Sequence, residues 1–286
     1  MKKYVVITCA NKKIGNFVTS HWLRSLKENV NLKNIDIVVI DYGLTKEQKN
    51  RLFKKDVVVY QGTKEYHIVN KRFFDSVKIL SENNYNQVLF IDGGDIIFQD
   101  DISHLFNKDR KYIRACHIGK NIFFYKWMLM GLFDSTAKEK LWKILKNKHI
   151  LNAGVIFAPT DKFVKMARLM ATLIKNKDLF GPDQLAFNYF AYKDRVKILK
   201  NIYNFMPSTT ENEFFIKEGV FYTKDLKKIP IVHNSGQIDL TRSIKNFGYG
   251  KSFNQIKSLI YNLKKTQYSI LRFYKEIKLQ SKTPPF

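Results

Sequence analysis

Four short runs of apolar, mostly β-branched residues divide the first hundred positions: 4–8 (YVVIT), 35–40 (IDIVVI), 57–60 (VVVY) and 88–91 (VLFI). Runs of this length and composition read as buried strands. Helical spacing fills the gaps. Phe17, Val18, Trp22 and Leu26 mark a crossover helix, Thr45 and Gln48 stand at capping-box spacing ahead of a short helix ending at Phe53, and a further helix covers about 69–80. Strands alternating with helices over short links predict βαβ units and an α/β fold with a mainly parallel sheet flanked by helices. Ligands of such sheets sit beyond the carboxyl ends of the strands. Asn11, Asp41, Asp92 and Asp95 are all expected on that rim.

The run at 88–91 stops at Asp92-Gly93-Gly94-Asp95, and apolar character resumes at 96–98. Two carboxylates at the end of a buried strand suit a hard divalent cation shared with substrate phosphates, and glycines allow a sharp turn and close approach. A solvated β-turn with capping aspartates is the other reading. Further on, 111–118 admits a strand, and 122–133 is apolar and aromatic. Phe123, Phe124, Tyr125 and Trp127 there suit either an acceptor pocket or core packing. Asn152-Ala153-Gly154 leads into a strand at 155–158, and 162–174 has clear helical spacing. Gly181-Pro182-Asp183-Gln184 opens the next helix, where Asp183 also reads as an N-cap. Late strands are expected at 196–199, 203–206 and 229–232, the last ending in His233-Asn234-Ser235-Gly236. One imidazole with two carboxylates suits Mn²⁺ or Mg²⁺, which makes Asp92, Asp95 and His233 the expected ligand set.

The 50 Lys+Arg against 25 Asp+Glu give a net charge of +25, suited to nucleic acid, anionic membrane or phosphorylated ligands. The lysines are spread over nearly every segment, and no helix-turn-helix, RNP or zinc pattern is present, so no specific nucleic-acid partner is expected. Cys9 and Cys116 form no CxxC or Cys/His group, which fits a reducing compartment. The start reads as a strand rather than a signal peptide, and 122–133 is too short to span a bilayer, so a cytoplasmic protein is expected. Residues 251–286 hold eight Lys/Arg and a single acid, Glu276. Their apolar residues recur near helical spacing, predicting a basic amphipathic tail that either lies on an anionic membrane surface or packs on a domain spanning 1–250.

The segments IVVIDYGLTKEQKNRL, VLFIDGGDIIFQDDISHLF, LNAGVIFAP, GPDQLAFN and IVHNSG, with Lys71-Arg72 about twenty residues before the acidic motif, resemble the family-8 glycosyltransferases, retaining enzymes of the GT-A (Rossmann-like) fold. The similarity covers about 4–236. It implies a metal-dependent hexosyltransferase. The donor would be a nucleotide-sugar, usually UDP-linked, and the acceptor a glycan or lipid-linked molecule. By the same resemblance Mn²⁺ (or Mg²⁺) would lie among Asp92, Asp95 and His233. Thr8, Ala10, Asn11, Arg72, Gly93, Gly94 and Gly236 would contact the donor together with Asp92. Asn152 would touch donor sugar or acceptor, and Asp183 and Gln184 would line the cleavage centre. Three features depart from the family pattern. Two residues rather than one separate the aspartates, Asn11 stands where an Asp often reads uracil, and the usual Lys-Pro-Trp after the His-x-x-Gly motif is missing. Arg242 or Lys245 would then neutralise the diphosphate. The departures keep open an inactive relative that only binds sugar or partner. A nucleotidyltransferase is disfavoured, since Asn11-Lys12-Lys13-Ile14-Gly15 is a poor phosphate loop.

Overall fold

Strand β1 (Tyr4–Ala10) lies inside a seven-stranded sheet, next to its central strand, and a computed structural model shows how the rest of the chain is laid around it. The structure describes residues 3–121, 133–208, 213–236, 242–251, 254–255, 263 and 266–267. β1 runs into a continuous helical stretch made of α1 (Lys12–Phe17), a π-turn (Val18–Trp22) and α2 (Leu23–Asn29). β2 (Ile35–Asp41), α3 (Lys46–Phe53), β3 (Val58–Gln61), α4 (Ile68–Glu82) and β4 (Gln87–Ile91) follow. β1 pairs in parallel with β2 and β4, and β2 with β3. The capping box at Thr45 and Gln48 is formed in full. The strands run a residue or two further than the apolar runs, because polar ends such as Asp41 still fit the ladder register, Ala10 against Asp41.

β5 (Ile96–Phe98), β6 (Arg114–Ala115), β7 (His117–Asn121), α5 (Ser135–Leu145), β8 (His149–Leu151), β9 (Val155–Pro159), α6 (Thr160–Leu173), α7 (Pro182–Lys193) and β10 (Lys197–Ile198) complete the scaffold. The sheet order is β10-β6-β9-β4-β1-β2-β3, with β9 antiparallel to both neighbours. Alternate residues of each strand feed two cores. Val5, Ile7, Val88 and Phe90 face α4, α6 and α7, while Val6, Leu89 and Ile91 face the α1–α2 side. Burial on both faces is why these strands read as unbroken apolar runs.

Several expectations need correction. The stretch 111–118 is not one strand, since β6 and β7 are separated at Cys116. Residues 203–206 are not a strand: Asn201–Asn204 form a 3₁₀ turn, and Phe205 alone bridges to Val232. Asp183 is not an N-cap, because Gly181 takes that place at φ 111° and Asp183 lies inside the first turn of α7. A hairpin of β11 (Phe214–Lys217) and β12 (Val220–Thr223) went unanticipated. The aromatic cluster Phe123, Phe124, Tyr125 and Trp127 lies outside the described residues, as does most of the tail. At the start of the tail, Asn254–Gln255 pair as a short strand with Ile244–Lys245. No helix among the described residues is long and apolar enough to cross a membrane.

Candidate functional site

β13 (Ile231–His233) pairs antiparallel with β5, setting His233 opposite Ile96, and Asn234 N–H donates to the Asp95 carbonyl at 2.8 Å. That ladder carries the late imidazole to the acidic turn. β9 holds the other side, since Asp92 N–H donates to the Gly154 carbonyl at 2.8 Å. One ligand atom each from Asp92, Asp95 and His233 then lie within 4.8 Å of one another. Gly93 allows the turn to press on β1: a Cβ there would stand 2.6 Å from Thr8 Oγ1 and 3.1 Å from the Cys9 carbonyl. Asp92 therefore reaches the cluster although two residues separate it from Asp95.

The carboxylates are oriented by cations. Asp92 Oδ1 accepts from Arg72, while Asp92 Oδ2 faces His233 Nε2 at 3.8 Å. Asp95 Oδ2 faces Arg242 at 3.6 Å, while its Oδ1 faces His233 Nε2 at 3.5 Å. Each carboxylate thus turns one oxygen to an arginine and one toward the imidazole, so the inward donor set is two oxygens and a nitrogen. This suits Mn²⁺ or Mg²⁺ chemistry. Burial drives the Asp95 carboxyl up, but His233, Arg242 and Arg72 outweigh it and hold it below the usual carboxylate range. Burial pulls the His233 imidazole down, yet Asp95 and Asp92 raise it overall. Closely spaced acidic oxygens around that ring are what a cation would replace a proton to satisfy.

Arg72, on α4, spans the site. Its Nη2 also stands 3.7 Å from Asp183 Oδ2, and its guanidinium packs over the Phe73 and Phe90 rings. Burial pushes the Asp183 carboxyl up to about 6, against the lowering pull of Arg72. Gln184 Oε1 accepts from Ala153 N–H at 3.1 Å, and Asn152 Oδ1 accepts from Gly154 N–H at 2.8 Å, so α7 and the β8–β9 link are tied together.

Arg72, Asp92, Asp95, Asn152, Asp183, Gln184 and His233 are therefore brought together. Asn11 instead caps α1, its Oδ1 accepting from Lys13 and Ile14 N–H, and it lines a depression of about 530 Å³ with Lys12, Lys13, Tyr42 and Gly43. Thr8 and Ala10 are buried beneath that rim. Gly94 packs on Ile14, and Gly236 sits three residues past His233. Sequence reasoning missed Asn204 and the close approach at Gly154. Asn204 is fully buried with its Oδ1 2.9 Å from His233 Nδ1. The only signal for it was an amide inside the apolar stretch Ile202-Tyr203-Asn204-Phe205-Met206. A Cβ on Gly154 would lie 2.7 Å from Asp92 Oδ2, Asn152 Oδ1 and His233 Cε1 alike.

No curated protein matches the sequence. Among solved structures the fold is similar to an active-site mutant of LgtC, with a TM-score of 0.57 at 14% identity over 86% of this chain and 92% of that one. It is also similar to the GlyE glycosyltransferase of Streptococcus pneumoniae, with a TM-score of 0.53 at 17% identity over 100% of this chain and 67% of that one. The bifunctional glycosyltransferase WbbM gives a TM-score of 0.54 at 15% identity over 84% of this chain, which spans only 47% of WbbM. At such identities these likenesses establish the mixed α/β, GT-A-type fold. The family model for glycosyl transferase family 8 matches residues 6–238, nearly the whole described scaffold including the acidic turn and the late histidine, and the chain belongs to that family.

Proposed function

We propose that the protein transfers a hexose from a nucleotide-sugar, UDP-linked, to a glycan or lipid-linked acceptor, with retention at the anomeric carbon. The observation that carries this reading is the meeting of Asp92, Asp95 and His233 at the carboxyl end of β4, with Arg72 and the α7 amino end facing them. Mn²⁺ (or Mg²⁺) held by those three residues would supply Lewis-acid neutralisation of the diphosphate leaving group. The chain's own groups account for the rest. Arg72 and Arg242 are cations already aimed at the carboxylates, placed to meet donor phosphates, which supports the substitution of Arg242 for the missing Lys-Pro-Trp lysine. The depression at Asn11, Lys12, Lys13 and Tyr42 offers an aromatic ring and ammonium groups to the nucleotide. Asp183, Gln184 and Asn152 bound the space left for the sugar. The acceptor hydroxyl oxygen forms its bond to C1 as the bond from C1 to the diphosphate oxygen breaks, and its proton passes to the departing phosphate. Gln184 steadies the cationic sugar, and no side chain is committed as a covalent nucleophile.

Asp95→Ala tests the reading. Metal-stimulated hydrolysis of a sugar nucleotide, found by screening donors with and without Mn²⁺, should fall about 10³-fold, equivalent to about 4 kcal/mol of transition-state stabilisation. Unchanged turnover would remove the metal from the mechanism. A second reading, a sugar- or partner-binding relative without catalysis, is favoured by the grip of Arg72 on Asp92 and by the Gly93-Gly94 spacing. It predicts no Mn²⁺-dependent binding of UDP. The tail at 251–286, with its eight basic residues, is proposed as an appendage to a 1–250 catalytic domain at the cytoplasmic membrane face.

A further inference from the structure

We infer that Asn204 is a positioning residue that fixes the tautomer of His233, and so decides which imidazole nitrogen is available to a cation. The inference rests on the metal role proposed for His233. A backbone donor, whose identity is beyond choice, anchors one end of the hydrogen-bond chain. Gly154 N–H points at the Asn152 side chain at 2.8 Å, so the amide atom there is oxygen. The same Oδ1 lies 3.0 Å from the Asn204 side chain, which must present its NH₂. The other amide atom of Asn204 is then oxygen, and it stands 2.9 Å from His233 Nδ1. An oxygen at that distance demands a hydrogen on Nδ1; the alternative sets two acceptors face to face in a site where Asn204 and His233 are 0% and 2% exposed.

A neutral ring with its hydrogen on Nδ1 carries its lone pair on Nε2, the atom facing Asp92 Oδ2 and Asp95 Oδ1. The relay is held by main chain at both ends. Phe205 N–H donates to the Ile231 carbonyl at 3.0 Å and His233 N–H to the Phe205 carbonyl at 2.8 Å, so the end of the 3₁₀ turn is clipped along β13. Gly154 supplies the fixed donor at the other end. The Asn-Ala-Gly stretch thereby acts on the imidazole through two amides, without touching Nδ1 itself.

The experiment is a long-range ¹H–¹⁵N correlation in the presence of excess diamagnetic Mg²⁺, because without a cation the Asp92 and Asp95 oxygens compete for a proton on Nε2. Wild type is expected to show Nδ1–H with a bare Nε2; a predominant Nε2–H form would overturn the inference. Asn204→Leu keeps the shape of the side chain and removes both polar functions. It should mix the two tautomers and weaken Mn²⁺ binding, read by counting free Mn²⁺ by EPR, about 10–100-fold. Asn204→Asp retains the acceptor and should restore the Nδ1–H signature. An Asn204→Leu protein with the wild-type tautomer ratio would also overturn the inference. If that variant fails to fold, the wild-type and Asn204→Asp spectra still decide it. Wild-type protein showing Nδ1–H without binding Mn²⁺ would uphold the tautomer assignment while sinking the metal reading.

Discussion

Two buried arginines bracket strand β4, and they are satisfied in opposite ways. Arg114, beside Gln87 at the amino end, gives its guanidinium to the Tyr112, Leu105 and Lys108 carbonyls and to Gln87 Oε1. Burial among these neutral dipoles lowers it to about 10, with Asp109 offsetting little. Arg72, at the carboxyl end, is also buried, yet Asp92 and Asp183 overcome that burial and raise it. The first arginine is complete as it stands. The second shares its carboxylates with an imidazole and with Arg242, in a cluster that holds more ionisable groups than packing requires. A cation ringed by carbonyls is a clasp, whereas one ringed by contested carboxylates marks a place where charge is meant to be exchanged.

The most forceful way to break this contrast is to remove each arginine in turn. Arg72→Met should cut metal-dependent sugar-nucleotide turnover by about 10³-fold while the fold persists, and its melting temperature should gain more from Mn²⁺ than that of wild type, since Asp92 then lacks a counter-ion. Arg114→Met should leave activity per folded molecule intact and lower the melting temperature by about 10 °C, from about 3 kcal/mol of stranded carbonyls at 2–4 °C per kcal/mol. Thermal scans and initial rates on both variants would erase the distinction if the two behaved alike.

A smaller change sharpens the picture of the carboxyl end. Gly154→Ala would drive a methyl into Asp92 Oδ2 and His233 Cε1. Mn²⁺ affinity and turnover should drop about 100-fold, with a stability loss of only about 1–3 kcal/mol. Retained affinity by calorimetry would show that the cluster is looser than its distances imply.

The gentlest effect concerns pH. Folding lifts Asp183 from 3.8 to about 6. Between those values the native state holds a proton the unfolded chain has lost, so this contribution is complete at low pH and fades as pH rises through about 6. Asp183→Asn should flatten that part of the melting-temperature profile between pH 4 and 6, while the profile of Arg114→Met keeps it. An unchanged slope in Asp183→Asn would place the titration elsewhere.

How much of this was legible beforehand follows from the physics of each signal. The scaffold was, because strands buried on both faces leave apolar runs and because Thr45 with Gln48 is a local device. The acidic turn was legible for the same reason: Asp92 and Asp95 interrupt a strand abruptly. Features that depend on a distant partner were not. Asn204 looks like one more residue of a late strand until β13 lies beside it. The β11–β12 hairpin was overlooked although Glu218 and Gly219, at φ 51° and 77°, form the tight turn that a Glu-Gly pair between alternating residues can signal. Arg114 gave no hint of burial, since three of its four acceptors are main-chain carbonyls that every sequence contains.

The pairing of β13 with β5 has a consequence for biosynthesis. The carboxylates of the acidic turn leave the ribosome long before the histidine that completes them, and only closure of a very long loop unites the two. If Asp92, Asp95 and His233 hold a cation as proposed, a chain ended between β10 and β13 keeps both carboxylates but lacks the imidazole, and is expected to bind Mn²⁺ more weakly than the full chain.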